Sequence, residues 1–348
     1  MRIFLYFLIM SVSLFAERKE LNPKDLPSYI RKIQSYGERV DFNFDASKII
    51  YVTQPCGEVE ELDLSTGEIT QITSGLSRKK NVGFFRCSYL VNGELLLTGG
   101  LSRRECTFFI VSKDRQKLTK IDEPCWEGAA VSRTSMNVAW TPNHIVLYKA
   151  ELKYKEGVPF FDNKEEVLTT SDSFPIIPDY QNRKTNPGQS LKTYIEPQNF
   201  IPGQEHILTF THYGKEPYHA ETLTINLNSK EINHLTKDSN GKLFDAEPEG
   251  AFPNGGYTCL ESTFLNEKGQ HGCEILRMKV DGSEPPVRLT YFSKIWNRFK
   301  ATNPVISDDG KWMAFQHGIM WDSVAGKGYG LYLMDLEKAY KALGISSK

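Results

Sequence analysis

The 348-residue chain has almost no excess of charge of either sign. It carries 42 lysines and arginines against 43 aspartates and glutamates, a formal net charge of −1. A strongly basic face is not expected, so nucleic acid is not predicted as a partner. The chain also lacks a nucleotide cradle, because Ala325–Gly328 has neither the spaced first glycine nor a hydroxyl residue after the lysine.

Motifs for nucleophilic and metal chemistry are missing as well. Ser132 lies in Ala-Val-Ser-Arg-Thr, which is not the Gly-x-Ser-x-Gly turn that exposes a nucleophilic serine. The chain contains no C-x-x-C pair, and its cysteine spacings match no zinc pattern. The sequence therefore predicts neither a serine hydrolase of that type nor a structural zinc site.

The six cysteines are compatible with an oxidising compartment. Cys259 and Cys273 lie on two adjacent predicted strands, on either side of a turn that contains Asn266–Gly269. We predict a disulfide between these two residues. The alternative for the other four is that they are free and buried, as small hydrophobic side chains.

No hydrophobic run is long enough to span a bilayer comfortably, but the first 16 residues resemble a signal peptide. Arg2 supplies a positive start, Ile3–Phe15 is apolar, and Ala16 is a small residue at the predicted cleavage site. No cysteine follows that would carry a lipid anchor. We expect a periplasmic or secreted protein with no stable membrane insertion after cleavage; the alternative is a short membrane anchor.

A repeated strand pattern dominates the rest of the chain. Its clearest copy is Asn303–Phe315, in which Asp308-Asp309-Gly310 forms a turn between two β-rich runs. Six units of this kind, each with four short strands, predict an all-β fold, a six-bladed β-propeller of four-stranded antiparallel blades. The units begin near Val40, Val82, Ala129, Asn199, Ala251 and Pro304.

The ends of the chain supply the last piece of the ring. The sixth unit lacks a fourth strand, because Glu337–Leu343 has a helical pattern, whereas Tyr29–Gln34 is a spare outer strand. We predict that this strand, in the segment 17–38, pairs with Gly330–Leu336 and closes the propeller of residues 39–348. Residues 171–191 are predicted to form a long loop between the third and fourth blades. A pair of β-sandwiches would explain the number of strands but not their repeated order.

Two stretches resemble the WD-like repeat of TolB-type propellers. Pro304–Phe315 followed by Gly330–Leu336 has the turn, the Ala-Phe strand end and the Tyr-x-x-Asp strand of that repeat. Glu274–Gly282 followed by Arg288–Thr290 is similar to its second half, and Asp308 stands where the repeat usually has proline. The resemblance implies a six-bladed propeller in an exported protein that binds a partner protein or a glycan. Related propellers include oligogalacturonate lyases and propellers attached to peptidases.

Aligning the units on Ser307 predicts which side chains surround the mouth of the central channel. The predicted rim is rich in carboxylates and amides, with arginines and one tryptophan. Its members are Asp41, Arg86, Trp126, Glu127, Arg133, Glu196, Gln198, Glu247, Glu249 and Asn303.

Three interpretations of this rim remain open. Converging oxygens suit a hard cation such as Ca²⁺, and Trp126 would serve as a stacking platform for a polyhydroxylated ligand. Crowded carboxylates would also have raised pKa values, which permits general acid–base catalysis on a polysaccharide. The third interpretation is a polar channel that holds only ordered water. No aligned rim position is a histidine, which argues against a histidine-rich metal site of the lyase type.

Overall fold

The computed structural model describes residues 21–74, 82–170, 194–213, 220–236, 244–322, 324 and 326–346. The predicted signal peptide, 1–16, and the predicted loop, 171–191, lie outside these residues. Within them, no helix has the length and apolar character needed to cross a membrane.

The described residues form six four-stranded antiparallel sheets, as predicted. The strands are β1 (Ile30–Gln34), β2 (Glu38–Phe42), β3 (Lys48–Val52), β4 (Val59–Asp63), β5 (Ile69–Gln71), β6 (Gly83–Tyr89), β7 (Leu95–Gly100), β8 (Cys106–Val111), β9 (Leu118–Cys125), β10 (Ala129–Val131), β11 (Asn137–Trp140), β12 (Val146–Lys155), β13 (Val158–Thr169), β14 (Tyr194–Ile201), β15 (Gln204–Tyr213), β16 (Ala220–Asn226), β17 (Ile232–His234), β18 (Ala246–Ala251), β19 (Tyr257–Ser262), β20 (Glu274–Lys279), β21 (Val287–Arg288), β22 (Phe299–Ile306), β23 (Trp312–Ile319) and β24 (Leu331–Asp335). Two short helices, α1 (Phe292–Ile295) and α2 (Leu336–Leu343), and one 3₁₀ turn (Pro23–Asp25) complete the elements.

Blades 1 to 5 each take four consecutive strands, and blade 6 is completed by the start of the chain. Its order is β1-β24-β23-β22. Ile30 lies opposite Met334, and Lys32 lies opposite Tyr332, in an antiparallel pair. The predicted closing strand is therefore confirmed. This pairing covers the edge of β24 that would otherwise be open and makes β1 the outer strand of blade 6.

The turn that defines the repeat is stabilised by its own side chains. The Ser307 hydroxyl donates to Asp309 at 2.6 Å and accepts the backbone N–H of Trp312 at 3.0 Å. Gly310 has a φ of 70°, a conformation that costs glycine little. These contacts hold β22 against β23, which fixes the direction in which β22 enters the channel.

The hydrophobic core lies between neighbouring blades. Between blades 2 and 3, Trp140 stacks on Phe161 with ring centroids 4.8 Å apart, and Phe108 meets both rings edge-on. Each blade has an apolar side chain at nearly every second position, so one sheet covers the next. The core therefore fixes how the six inner strands are arranged around the axis.

The structure does not contain the predicted disulfide between Cys259 and Cys273, and the strand register argues against it. Cys259 lies opposite Arg277 in the β19–β20 ladder, and Glu274 lies opposite Ser262. Cys273 is thus four positions from the partner of Cys259, a separation of about 13 Å along the strand. A disulfide needs Cα atoms within about 7 Å, so the register prevents this bond.

Candidate functional site

The channel widens at one end into a cavity of about 800 Å³, here called the mouth chamber. Side chains from all six blades line it. Six of the ten predicted rim residues are among them, namely Trp126, Glu127, Glu196, Glu247, Glu249 and Asn303. The structure therefore brings most of the predicted carboxylates together at one site.

The other four predicted residues lie deeper. Asp41, Arg86, Gln198 and Arg133 line a smaller cavity of about 110 Å³ between the inner strands, here called the inner cavity. Glu249 and Asn303 line both cavities, so the two adjoin. The alignment of the units placed these four residues one level too close to the mouth.

The inner strands are irregular near three of these four residues. Strand pairing shifts between Glu38 and Asp41, between Phe84 and Arg86 and between Pro197 and Asn199, whereas Arg133 follows the regular β10–β11 pair. The pairing of β22 with β23 also shifts, between Thr302 and Val305. Arg39 and Asn303, at these bulges, have left-handed φ values of 56° and 52°. Bulges redirect side chains and often lie next to functional sites. Here they turn Arg39 and Asn303 toward each other, and the Arg39 guanidinium donates to the Asn303 side-chain oxygen.

A network of arginines holds one carboxylate in the chamber wall. Arg103 donates to both oxygens of Glu127, and Arg39 lies 3.3 Å from the same carboxylate. The Thr98 hydroxyl donates to the backbone oxygen of Glu127. Burial and the nearby charge of Arg39 lower the pKa of Arg103 to about 10. Glu127 is thus neutralised by protein cations.

Three other glutamates are crowded together, and one of them, Glu249, lies 3.6 Å from Arg86. One carboxylate oxygen from each of Glu247, Glu249 and Glu261 lies within 4.8 Å of the other two. These three residues are called the glutamate trio below. Burial and the charge of Glu249 raise the pKa of Glu247 well above its usual value and that of Glu261 to about 7. The trio therefore holds protons at a pH where ordinary glutamates have lost them.

The fifth glutamate of the chamber, Glu196, has the opposite protonation. Burial raises the pKa of Glu196, but its interactions with His144, Arg86 and Arg39 outweigh burial and lower it overall. A side chain at Gly128 would approach Glu196 to 2.8 Å, so glycine permits this carboxylate to pack against the loop before β10. The Tyr213 hydroxyl contacts both Glu196, at 3.4 Å, and Glu247. A carboxylate and a protonated carboxyl thus share one tyrosine.

Aromatic side chains form another part of the chamber wall. The Trp126 ring meets the His144 ring with centroids 4.3 Å apart, and His144 meets Tyr194 at 5.9 Å. The guanidinium of Arg104 lies 5.5 Å from the centre of the Trp126 ring. Burial lowers the pKa of His144, which keeps the imidazole neutral near pH 7. These rings provide flat apolar surface beside the carboxylates.

The end of the inner cavity away from the chamber is occupied by an ion pair. Arg133 donates to both oxygens of Asp308, at 3.1 and 2.6 Å, and lies 3.5 Å from Asp41. It also donates to the Phe42 backbone oxygen and lies over the Phe44 ring. These contacts join blades 1, 3 and 6 across the axis. Arg133 thus links three blades at this end of the inner cavity.

Several chamber residues were missed by reasoning from sequence, because the alignment used inner strands only. They come from second strands, from connecting loops or from more distant positions on the inner strands β14 and β22. The residues are Arg103, Arg104, Asn143, His144, Tyr194, Tyr213, Glu261 and Lys300. Glu261 carried a usable signal, since it lies directly opposite Glu247 in the β18–β19 pair.

No protein-family model matches the sequence, and no curated protein is significantly similar to it. Solved structures do resemble the fold. A gluconolactonase from Xanthomonas campestris is 10% identical, with a TM-score of 0.51 over 88% of this chain and 89% of that one. The tricorn protease is 11% identical, with a TM-score of 0.50 over 88% of this chain, which spans only 26% of that protein.

A TolB protein from Acinetobacter baumannii is also among the similar structures. It is 11% identical, with a TM-score of 0.44 over 86% of this chain and 66% of that one. Identities this low show the architecture alone. The chain is a six-bladed β-propeller.

Proposed function

We propose that the protein is an exported binding module that holds a sugar or sugar acid in the mouth chamber. One observation carries this proposal. A cavity of about 800 Å³ collects carboxylates, arginines and aromatic rings from all six blades at one end of the channel. Ligand sites in proteins are concave and combine apolar surface with a few placed polar groups.

The chemistry of the wall suits a polyhydroxylated ligand. Trp126 and Tyr194 offer ring faces to a sugar, and Glu196 and Glu249 offer acceptors for hydroxyl groups. Arg104, above Trp126, is placed to pair with the carboxylate of a sugar acid. This combination discriminates against purely apolar ligands.

The glutamate trio adds a second binding element to the same proposal. Three carboxylates within 4.8 Å of one another repel, and a hard cation such as Ca²⁺ relieves that repulsion. Cation binding would displace the protons that the raised pKa values retain, so affinity should rise with pH. A bound cation would also attract the carboxylate of a sugar acid.

A thermal-shift experiment tests the proposal. We expect Ca²⁺ or uronic-acid oligomers to raise the melting temperature of the wild type, and Glu249→Ala to abolish the increase. Glu60→Gln is a matched control, since Glu60 is buried in blade 1, where it accepts from Tyr36 and Tyr51. The absence of a shift with every ligand would overturn the sugar and cation sites and leave a scaffold for a protein partner.

A second candidate function, sugar cleavage by acid–base catalysis, is supported by the contrast between Glu196 and Glu247. One carboxyl is ionised and the other protonated, and Tyr213 contacts both. Paired carboxyls with divergent pKa values are the pattern of a general base and a general acid. Release of reducing ends from a polysaccharide, lost in Glu247→Gln, would support this function. Binding without release supports the binding module.

Export is part of the proposal and rests on residues 1–16. Fractionation of cells that express the full chain should recover a protein shortened after Ala16 outside the cytoplasm. A full-length protein retained in the membrane fraction would contradict cleavage and support the membrane anchor instead.

A further inference from the structure

We propose that Cys106 and Cys125 form a disulfide that tethers the two loops carrying the Arg103–Glu127 pair of the mouth chamber. The two cysteines are the first residue of β8 and the last residue of β9. They lie directly opposite each other in the antiparallel pair of these strands. This proposal goes beyond ligand binding and does not depend on it.

The backbone already satisfies the distance that a disulfide requires. Opposite residues of an antiparallel pair have Cα atoms about 4.5 or 5.5 Å apart, and disulfides span about 4.4–6.8 Å. Both residues are thiols in the structure, and Cys106 Sγ contacts the backbone oxygens of Ser102 and Arg103 at 3.3 and 3.7 Å. The bond therefore needs a side-chain rotation that releases these two weak contacts. The ladder itself stays in register.

A third cysteine lies close by and is the competing partner. Cys56 is exposed, and its Sγ contacts the backbone oxygen of Gly100, the residue opposite Cys106 on β7. It belongs, however, to the connection between β3 and β4 in blade 1, and no ladder joins it to Cys106. Of the two partners, Cys125 is the one held opposite Cys106 by strand pairing.

The Cys106–Cys125 disulfide lies at the base of two loops that line the mouth chamber. Arg103 lies in the loop that ends at Cys106, whereas Trp126 and Glu127 directly follow Cys125. Arg103 donates to both oxygens of Glu127 across the gap between these loops. A disulfide at the base of the two loops fixes their spacing and holds the ion pair and the Trp126 ring in place.

The bond forms by thiol–disulfide exchange with an external disulfide, such as that of a thiol–disulfide oxidoreductase or oxidised glutathione. The thiolate of one cysteine attacks the external disulfide, which breaks and releases one thiol. The thiolate of the other cysteine then attacks the mixed disulfide and releases the second thiol. Two cysteine thiols lose two protons and two electrons, and the external disulfide is reduced to two thiols. Burial raises the pKa of Cys106 to about 12, so exchange is expected during folding, before the strands close.

Refolding of the full chain in a mixture of reduced and oxidised glutathione tests the proposal. After free thiols are alkylated, peptide mass spectrometry without reduction should find Cys106 linked to Cys125. The linked peptide should persist in Cys259→Ser and disappear in Cys125→Ser. Alkylation of both residues in the wild type, or a link from Cys106 to Cys56, would overturn the proposal. The peptide map of the wild type is sufficient to decide between these outcomes, so the test holds even when Cys125→Ser folds poorly.

Amide hydrogen exchange tests the consequence for the chamber. Residues 101–105 and 126–128 should exchange more slowly in the oxidised protein than in the reduced protein. The loop 263–272 of blade 5 has no cysteine pair of this kind and is the internal control. Equal exchange in both redox states would contradict a tether that positions the chamber wall.

Discussion

At the scale of single residues, the chamber contains two kinds of glutamate: those paired with arginines and those that mainly face other carboxylates. Glu127 has two arginines and Glu196 has Arg86 at 3.4 Å. Glu247 and Glu261 instead face other carboxylates, and their pKa values rise for that reason as well as through burial. A buried carboxyl that faces other carboxylates destabilises the protein when it ionises. The presence of such carboxyls at an open cavity supports a role in binding.

The raised pKa of Glu261 predicts how stability varies with pH. Its carboxyl has a usual value of 4.5 and a value of about 7 in the folded protein, so the folded state binds the proton more tightly. Stability is therefore greatest below pH 4.5 with respect to this group and falls as the pH rises through 7. We expect Glu261→Gln to weaken this fall and to stabilise the protein above pH 7 by roughly 1–3 kcal/mol, since one pKa unit corresponds to about 1.4 kcal/mol.

Urea unfolding at several pH values in the presence of a chelator measures this effect. Glu68→Gln is the control, because Glu68 is exposed on the outer hairpin of blade 1. The same dependence on pH in Glu261→Gln and the wild type would show that Glu261 ionises normally.

At the scale of strands and turns, residue types predict turns and strand pairing better than they predict where a side chain lies along the channel. The turn at Ser307–Gly310 and the closing strand β1 follow from residue types that permit little else. The level of each side chain in the channel does not follow, because bulges at Arg39 and Asn303 change the register without a distinctive sequence. Asp41 was therefore assigned to the rim although it lies nearer the other end, beside Arg133.

Only the side chains on the buried face of the closing strand β1 should be essential to stability. Ile30 is 6% exposed and packs in the core of blade 6, whereas its neighbour Arg31 is exposed. We expect Ile30→Asp to lower the free energy of unfolding by about 3 kcal/mol or more, and Arg31→Asp to change it by less than about 0.5 kcal/mol. Equal effects of the two variants in urea unfolding would contradict ring closure through β1.

At the scale of the whole molecule, the ring places side chains that are distant in sequence at one axis. Arg133, Asp41 and Asp308 come from three blades and meet only because the ring closes. The same closure assembles the mouth chamber from residues between Arg39 and Gly326. Sequence patterns report the repeat, but they do not report which second strands, loops and distant inner-strand positions reach the axis. Tyr213, His144 and Lys300 were therefore missed.

Removing the axial cation should destabilise the whole ring. We expect Arg133→Met to cost about 2–4 kcal/mol, since it leaves Asp41 and Asp308 without their shared partner, and Asp308 is partly exposed. The matched control is Lys311→Met, which removes an exposed pair with Asp309 and should cost less than about 1 kcal/mol. Calorimetric unfolding of both variants measures the difference. A loss as small as that of the control would exclude an axial role for Arg133.

Binding in the mouth chamber is tested most directly by the electron density there in crystals grown with Ca²⁺ and a uronic-acid oligomer. We expect a cation bound by Glu247, Glu249 and Glu261 and a sugar ring against Trp126, with the carboxylate of the sugar near Arg104. A chamber that holds only water under these conditions, in a crystal where it faces open solvent, would contradict the claim that the chamber is the functional site.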